Sequence, residues 1–154
     1  MTRRGALLLL LAGCTAPVAP RPGRARLVRL PGAAVVQIVV DWRDYAALND
    51  AIAAAMADVL GPPANALEHF EAPVQFLLSG AARPSDPEDP RIVTMDWALS
   101  TVADRSPDRY SVTAQSTGGL FRAITPDDAR GLGWLSAEAF MARQSVQDWL
   151  RSPR

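Results

Sequence analysis

The period of the apolar residues changes along the chain, and these changes predict the order of its elements. Residues from Ala33 to Val40 are almost continuously apolar and β-branched, as in a strand covered on both faces. A helix ending near Leu60 follows, because the next apolar residues recur at helical spacing. They are Leu48, Ile52, Met56, Val59 and Leu60. Gly61 is expected to form a left-handed cap, and Pro62 and Pro63 prevent continuation of the helix.

Three further strands are predicted in the middle of the chain. The first runs from Val74 to Leu78 and is ended by Ser79 and Gly80. After a proline-punctuated acidic loop from Arg83 to Arg91, apolar and polar residues alternate, as in a half-buried strand. Its inward-facing residues are Val93, Met95, Trp97 and Leu99. A turn then leads into a strand from Tyr110 to Ser116, in which Tyr110, Val112 and Ala114 point inward.

The C-terminal part predicts a short edge strand and then helix. The strand runs from Leu120 to Ile124, and the segment from Thr125 to Asp128 has a capping residue, a proline and two acids, which are typical of a helix start. Gly131 and Gly133 are expected to interrupt that helix. A final helix runs from Leu135 or Ser136 to Arg151, with Phe140 and Met141 off its buried stripe. The stripe consists of Leu135, Ala139, Ala142, Val146, Trp149 and Leu150.

These elements predict an α+β fold of one domain, residues 30–151. The order is β-α-β-β-β-(β)-α, which favours a small mixed sheet of four to five strands with two helices packed on one face. The 16 basic and 16 acidic residues balance. The domain therefore has no long-range field to attract nucleic acid, and we expect no nucleic-acid partner.

The N-terminus resembles that of a bacterial lipoprotein. Arg3 and Arg4 precede an apolar run from Ala6 to Ala12, and Leu11-Ala12-Gly13-Cys14 resembles a lipobox. The run is too short to cross a membrane permanently, which needs about 20 residues. The resemblance implies that a signal peptide, residues 1–13, is removed and that Cys14 carries the lipid, palmitate included. The alternatives are an ordinary signal peptide with an incidental cysteine, and twin-arginine export.

Residues 14–29 are rich in proline and arginine and predict a lipidated, extended tether. Its arginines either contact lipid phosphates or belong to a solvated linker. Thr15 stands where an aspartate would retain a lipoprotein in the inner membrane. We therefore expect a lipid anchor in the outer membrane, with the protein facing the periplasm.

From about Leu30 to Leu150 the element order resembles the small envelope-lipoprotein domains of the LPS-assembly, ABC-transport-auxiliary and TolB amino-terminal kind. Those domains are mostly accessory parts of larger envelope machines. The resemblance rests on element order together with the lipobox. No catalytic or binding motif of those families lies on this chain.

The sequence offers little for catalysis, and we expect no enzyme, cofactor or metal. His69 is the only histidine, and we predict that it lies in a loop. Asp86, Glu88 and Asp89 lack the spacing of a calcium loop and favour a stiff solvated turn. Asp41 and Asp44 are interpreted as helix-capping residues rather than paired carboxylates. The glycine pairs lack a phosphate-binding lysine and any dinucleotide-binding pattern.

The leading hypothesis is therefore a non-enzymatic accessory or scaffold component of an envelope complex. Its candidate partner-binding residues are Trp42, Trp134, Phe140 and Met141, because exposed aromatic residues are typical interface anchors. An open sheet edge could serve the same purpose. The alternative is a periplasmic binding module for a lipid or a cell-wall fragment, which predicts an apolar cavity between the helices and the sheet.

Overall fold

The computed structural model describes residues 25–42, 46–84, 89, 91–101, 106–116 and 124–152. Its strands are Arg26–Arg29 (β1), Val35–Asp41 (β2), Gln75–Pro84 (β3), Ile92–Thr101 (β4) and Asp108–Gln115 (β5). Its helices are Ala46–Leu60 (α1), Ala66–Glu71 (α2), Pro126–Met141 (α3) and Gln144–Arg151 (α4). Cys14 and most of the predicted edge strand at 120–124 lie outside the described residues. The predicted α+β class with a small mixed sheet is confirmed.

The five strands lie in chain order across one sheet. Only β2 and β3 are parallel, and α1 and α2 form the crossover that parallel neighbours require. α1 and α3 pack on the same face. On that face Trp97 Nε1 of β4 donates a hydrogen bond to Ser136 Oγ of α3 at 3.0 Å. The sheet and the two long helices therefore share one core, as predicted.

β3 is longer than its sequence predicted, because the strand does not end at Ser79 and Gly80. Gly80 lies opposite Trp97 in the register, and a Cβ atom on Gly80 would collide with the indole ring. Position 80 therefore requires glycine because its cross-strand neighbour is bulky. It does not mark a turn.

α3 starts as predicted, but Gly131 and Gly133 do not interrupt it. Thr125 and Asp128 form a capping box, in which the Asp128 amide donates to Thr125 Oγ1 at 3.2 Å and the Thr125 amide donates to Asp128 Oδ2 at 2.9 Å. A Cβ on Gly133 would lie 2.6 Å from the Ile52 carbonyl oxygen. Gly133 therefore allows α3 to lie close against α1.

The predicted single helix from Leu135 to Arg151 is wrong in two respects. α3 ends at Met141, and Arg143 has extended backbone before α4 begins. The buried face also differs, because Phe140 is completely buried whereas Leu135 is 44% exposed. Gly133, Ser136 and Phe140 lie on the face of α3 that packs inward. The predicted stripe missed this face because it ran on into residues of the separate helix α4.

β1 corrects the predicted boundary between tether and domain. The sequence places residues 26–29 in the tether, yet they pair antiparallel with β2, and Val28 is buried opposite Val36. The outer edge of β1 is paired as well. The Arg29 amide donates to the Pro62 carbonyl and the Ala64 amide donates to the Leu27 carbonyl, both at 2.9 Å. The folded part thus begins at residue 26 instead of 30.

Gly61 has the positive φ (+150°) that glycine tolerates, and a Cβ there would collide with the Arg29 carbonyl oxygen. The sequence predicts Gly61 as a helix cap. Its second role is to let the chain after α1 run close against β1.

Candidate functional site

Two of the four predicted partner-binding residues belong to the core. Trp42 is 5% exposed, and its backbone amide donates to Asn49 Oδ1 at 3.0 Å. Phe140 is completely buried, and its ring meets that of Phe76 edge-to-face at 6.1 Å. Neither side chain is accessible to a partner, which corrects the prediction. The sequence predicts exposure for Trp42 because it lies near the end of an element, and for Phe140 because it lies off the predicted buried stripe.

The other two predicted residues, Trp134 and Met141, lie seven positions apart and so share one side of α3. Trp134 is 51% exposed, whereas Met141 is partly buried against the core. Ala55 of α1 is the nearest side chain to the close contact at Gly133. The strands that precede α1 and α3, β2 and β5, point in the same direction. Each helix runs back along the sheet, opposite to the strand before it, so the two helices are parallel to each other. One turn beyond Ala55 stands Val59, which is 48% exposed.

We call Trp134, Met141 and Val59 the helix-layer patch. It lies on two helices that the core holds in place, since Ser136 of α3 accepts the indole hydrogen bond of Trp97. An exposed aromatic group on a rigid support loses little entropy when a partner binds.

α2 carries the most exposed large apolar side chains of the described chain, and the sequence prediction missed them. Leu67 is 64% exposed and Phe70 is 77% exposed, and none of the six residues of α2 is buried. The prediction placed His69 in a loop here. A local signal was present, because Asn65 and Glu68 form a capping box in which the Glu68 amide donates to Asn65 Oδ1 at 2.8 Å.

An ion pair fixes α2 beside the sheet edge. Arg29 of β1 lies 2.5 Å from the carboxylate of Glu68, and this hydrogen bond holds the pKa of Glu68 below its ordinary value. Leu67 and Phe70 stand one position to the N-terminal side and two positions to the C-terminal side of Glu68. We call these two residues the α2 pair.

An open groove of about 500 Å³ lies at the end of the sheet where β3 begins. Its lining is mostly apolar and consists of Ala72, Pro73, Val74, Gln75, Phe76, Thr101, Ser145 and Trp149. The alternative hypothesis predicted a cavity between the helices and the sheet. That space is filled by fully buried side chains, among them Phe76, Met56 and Leu132, and the groove opens at the rim instead.

Two carboxylates that could accept a proton, Asp96 and Asp89, form ion pairs with arginines. Asp96 Oδ2 accepts from Arg83 Nε and Asp96 Oδ1 accepts from Ser111 Oγ, each at 2.6 Å. These two hydrogen bonds, of which the one from Arg83 has the larger effect, hold the pKa of Asp96 below its ordinary value. Asp89 pairs with Arg91 at 2.7 Å, whereas Asp86 and Glu88 lie outside the described residues. Carboxylates of lowered pKa are weak proton acceptors.

His69 has no catalytic neighbours in the part of the chain that the structure describes. Its Nδ1 atom is buried without a hydrogen-bond partner there, and its ring centroid lies 5.7 Å from that of Phe70. Among the same residues, no three histidine, cysteine or carboxylate side chains are grouped so as to hold a metal ion. Asp41 ends β2, and Asp44 lies outside the described residues.

A second cluster surrounds Tyr110 of β5. Its ring stacks on Trp97 with the centroids 6.5 Å apart, and the Arg143 guanidinium lies 5.4 Å from its centroid. Arg143 also forms two hydrogen bonds with Asp108, at 2.5 and 2.8 Å. Burial raises the pKa of the Tyr110 hydroxyl far above its ordinary value, so this group stays neutral. The cluster joins α4 to β5.

Comparisons with protein-family models, with curated proteins and with solved structures found no match to this chain. No helix in the described ranges has both the length and the apolar character needed to cross a membrane.

Proposed function

We propose that this protein is a periplasmic lipoprotein, anchored through acylated Cys14, that serves as a non-enzymatic accessory or scaffold component of an envelope complex. The anchor is placed in the outer membrane, as the residue after Cys14 favours. The observation that carries the scaffold role is Trp134, a half-exposed indole on a helix held by the core. A protein partner is therefore expected to bind the helix-layer patch.

Two properties of the patch support this role. Tryptophan is the residue most enriched among interface anchors, because its large rigid surface is buried at low entropic cost. Val59 of α1 is 48% exposed, and Met141 lies on the same side of α3 as Trp134, so each of the two packed helices carries accessible apolar surface. Asp96 and Asp108 form ion pairs with Arg83 and Arg143, which favours a structural role over a catalytic one for these two carboxylates.

The test replaces Trp134 in the tagged full-length protein by glutamate and identifies partners by cross-linking in intact cells. Trp134→Glu should reduce partner recovery by about tenfold or more, as expected for loss of an interface anchor. Leu135→Glu is the matched control, since Leu135 is 44% exposed at the adjacent position and points about 100° away around the helix. Equal recovery from the two variants would exclude the helix-layer patch as the partner site.

Membrane fractionation tests the anchor separately. Cys14→Ser should move the protein from the membrane fraction to the soluble fraction, because it removes the acylated thiol. A Cys14→Ser protein that stays in the membrane fraction would contradict the lipid anchor, whatever the Trp134 result.

The groove favours a second candidate function, a binding module for a lipid or a cell-wall fragment. Its apolar lining includes Trp149, whose ring meets that of Phe76 at 6.0 Å. Titration with a short-chain fatty acid or a muropeptide should then change tryptophan emission, and Trp149→Phe should remove the change. An emission change that persists in Trp149→Phe would place the ligand elsewhere.

A further inference from the structure

The α2 pair lies at the place where the predicted tether joins the sheet. Glu68 of α2 contacts Arg29 of β1 at 2.5 Å, and β1 is the first strand of the domain. The two ends of β1 are only about 10 Å apart, since a strand rises 3.2–3.4 Å per residue. The most exposed apolar side chains of the described domain therefore lie beside the point at which the chain leads back to Cys14.

The length of the connecting chain keeps this edge of the domain near the lipid. Twelve residue steps separate Cys14 from Arg26. At 3.3–3.6 Å per residue these steps span at most about 40 Å, which is close to the diameter of a domain of this size. A short connection of this kind gives the α2 pair a high effective concentration at the bilayer surface.

The exposed area also favours a lipid surface over a second protein. Two side chains of this type expose on the order of 200–300 Å². A stable protein interface needs about 800 Å² from each partner, so the pair alone is too small for a lasting dimer. An interfacial helix has no such minimum, because each apolar side chain partitions individually into the headgroup region.

We propose that Leu67 and Phe70 insert into the surface of the bilayer to which Cys14 is anchored, so that the domain is docked on the membrane by its α2 edge. This inference rests on the proposed lipid anchor. Docking at α2 does not use Trp134, which lies on a different helix, α3.

The test uses the full-length acylated protein in phosphatidylcholine vesicles that contain brominated acyl chains. Phe70→Trp places a reporter in the α2 pair, and Leu135→Trp is the matched control at an exposed position of α3. Bromine quenches only tryptophan that lies within the bilayer. We expect the added emission of Phe70→Trp to fall by about half or more, and that of Leu135→Trp to remain unchanged.

The outcomes separate this inference from the proposed function. If the Phe70→Trp protein floats with the vesicles while its added emission is not quenched, membrane docking is overturned and the anchor stays intact. Protein that does not float at all would overturn the anchor itself. A photo-reactive amino acid at position 70 identifies the occupant in cells. Adducts with lipid support the proposal, whereas adducts with a second copy or another protein overturn it.

Discussion

At the scale of single residues, the presence of a glycine can be explained by the atoms that face it. Gly80 leaves space for the Trp97 indole, and Gly133 leaves space for the backbone of α1. Gly131 differs, because a Cβ there would meet nothing within 4 Å. Replacing the two glycines of α3 should therefore have opposite effects on stability, although they stand two positions apart.

This contrast gives a matched pair of predictions within one helix. Gly131→Ala should raise the free energy of unfolding by about 0.5–1 kcal/mol, because alanine is the better helix former and nothing obstructs it. Gly133→Ala should lower it by about 1–3 kcal/mol, because the new methyl group pushes α3 away from α1. Urea unfolding measures both. Changes of the same sign would mean that the two helices are not in close contact at Gly133.

A second prediction at this scale concerns Asp96 and pH. Its pKa is lower in the folded protein than in the unfolded chain, where carboxyl groups of this type titrate at about 3.9. The carboxylate therefore stabilises the fold above about pH 4, and this contribution is lost as the pH falls through the folded pKa. Asp96→Asn should be less stable than the parent at pH 7, and the difference should vanish at strongly acidic pH.

Urea midpoints measured between pH 7 and pH 2 check this dependence. Asp50→Asn, a change at an exposed position of α1, controls for the loss of a surface charge. A difference between the Asp96 variant and the parent that does not depend on pH would show that the ion pair with Arg83 is absent in solution.

At the scale of elements, the sequence predicted what depends on local pattern. The alternation in β4 and the capping box of α3 are local, and both predictions are confirmed. The lengths of β3 and α3 depend on Trp97 and on α1, which are distant in sequence, so their glycines were misread as breaks. β1 was missed because two of its four residues are arginines and its backbone pairing leaves no apolar pattern.

The residues of the candidate surfaces were also predicted only in part. The exposure of Trp134 was predicted because the sequence placed it near the end of an element, although it lies within α3. Phe140 was assigned to the wrong side, because its buried face is set by small residues, Gly133 and Ser136 among them. The α2 pair was missed although the spacing from Asn65 to Glu68 signals a helix start, because a helix of one and a half turns lacks an apolar stripe.

α4 yields a prediction at this scale, because Arg143 ties its start to β5. Arg143→Lys keeps the charge but loses the paired hydrogen bonds to Asp108 and the planar contact with Tyr110. We expect a loss of about 1 kcal/mol in the free energy of unfolding. Arg151→Lys at the exposed end of α4 should change little. Equal effects of the two substitutions would show that Arg143 does not position α4.

At the scale of the whole molecule, one core depends on an edge strand that the sequence assigned to the tether. Val28 is buried, and β1 pairs on both sides, with β2 and with the segment from Pro62 to Ala64. Removing β1 would therefore expose the edge of β2 and leave the connection between α1 and α2 without its partner.

A truncation series tests this boundary. A chain that begins at residue 25 should unfold with the same urea midpoint as the full-length chain. A chain that begins at Leu30 should lose about 2–5 kcal/mol, because it removes a buried valine together with the hydrogen bonds of a strand. Identical midpoints for the two chains would restore the original boundary at residue 30.

The bridge between Val28 and Pro63 has a consequence for aggregation at high protein concentration. The amides of Arg29 and Ala64 bond across the bridge, which leaves the backbone of residue 63 facing outward. As a proline it has no hydrogen to offer there. A foreign strand that approached this side would lack a donor for pairing, so Pro63 acts as a gatekeeper against strand-to-strand aggregation and fibril growth.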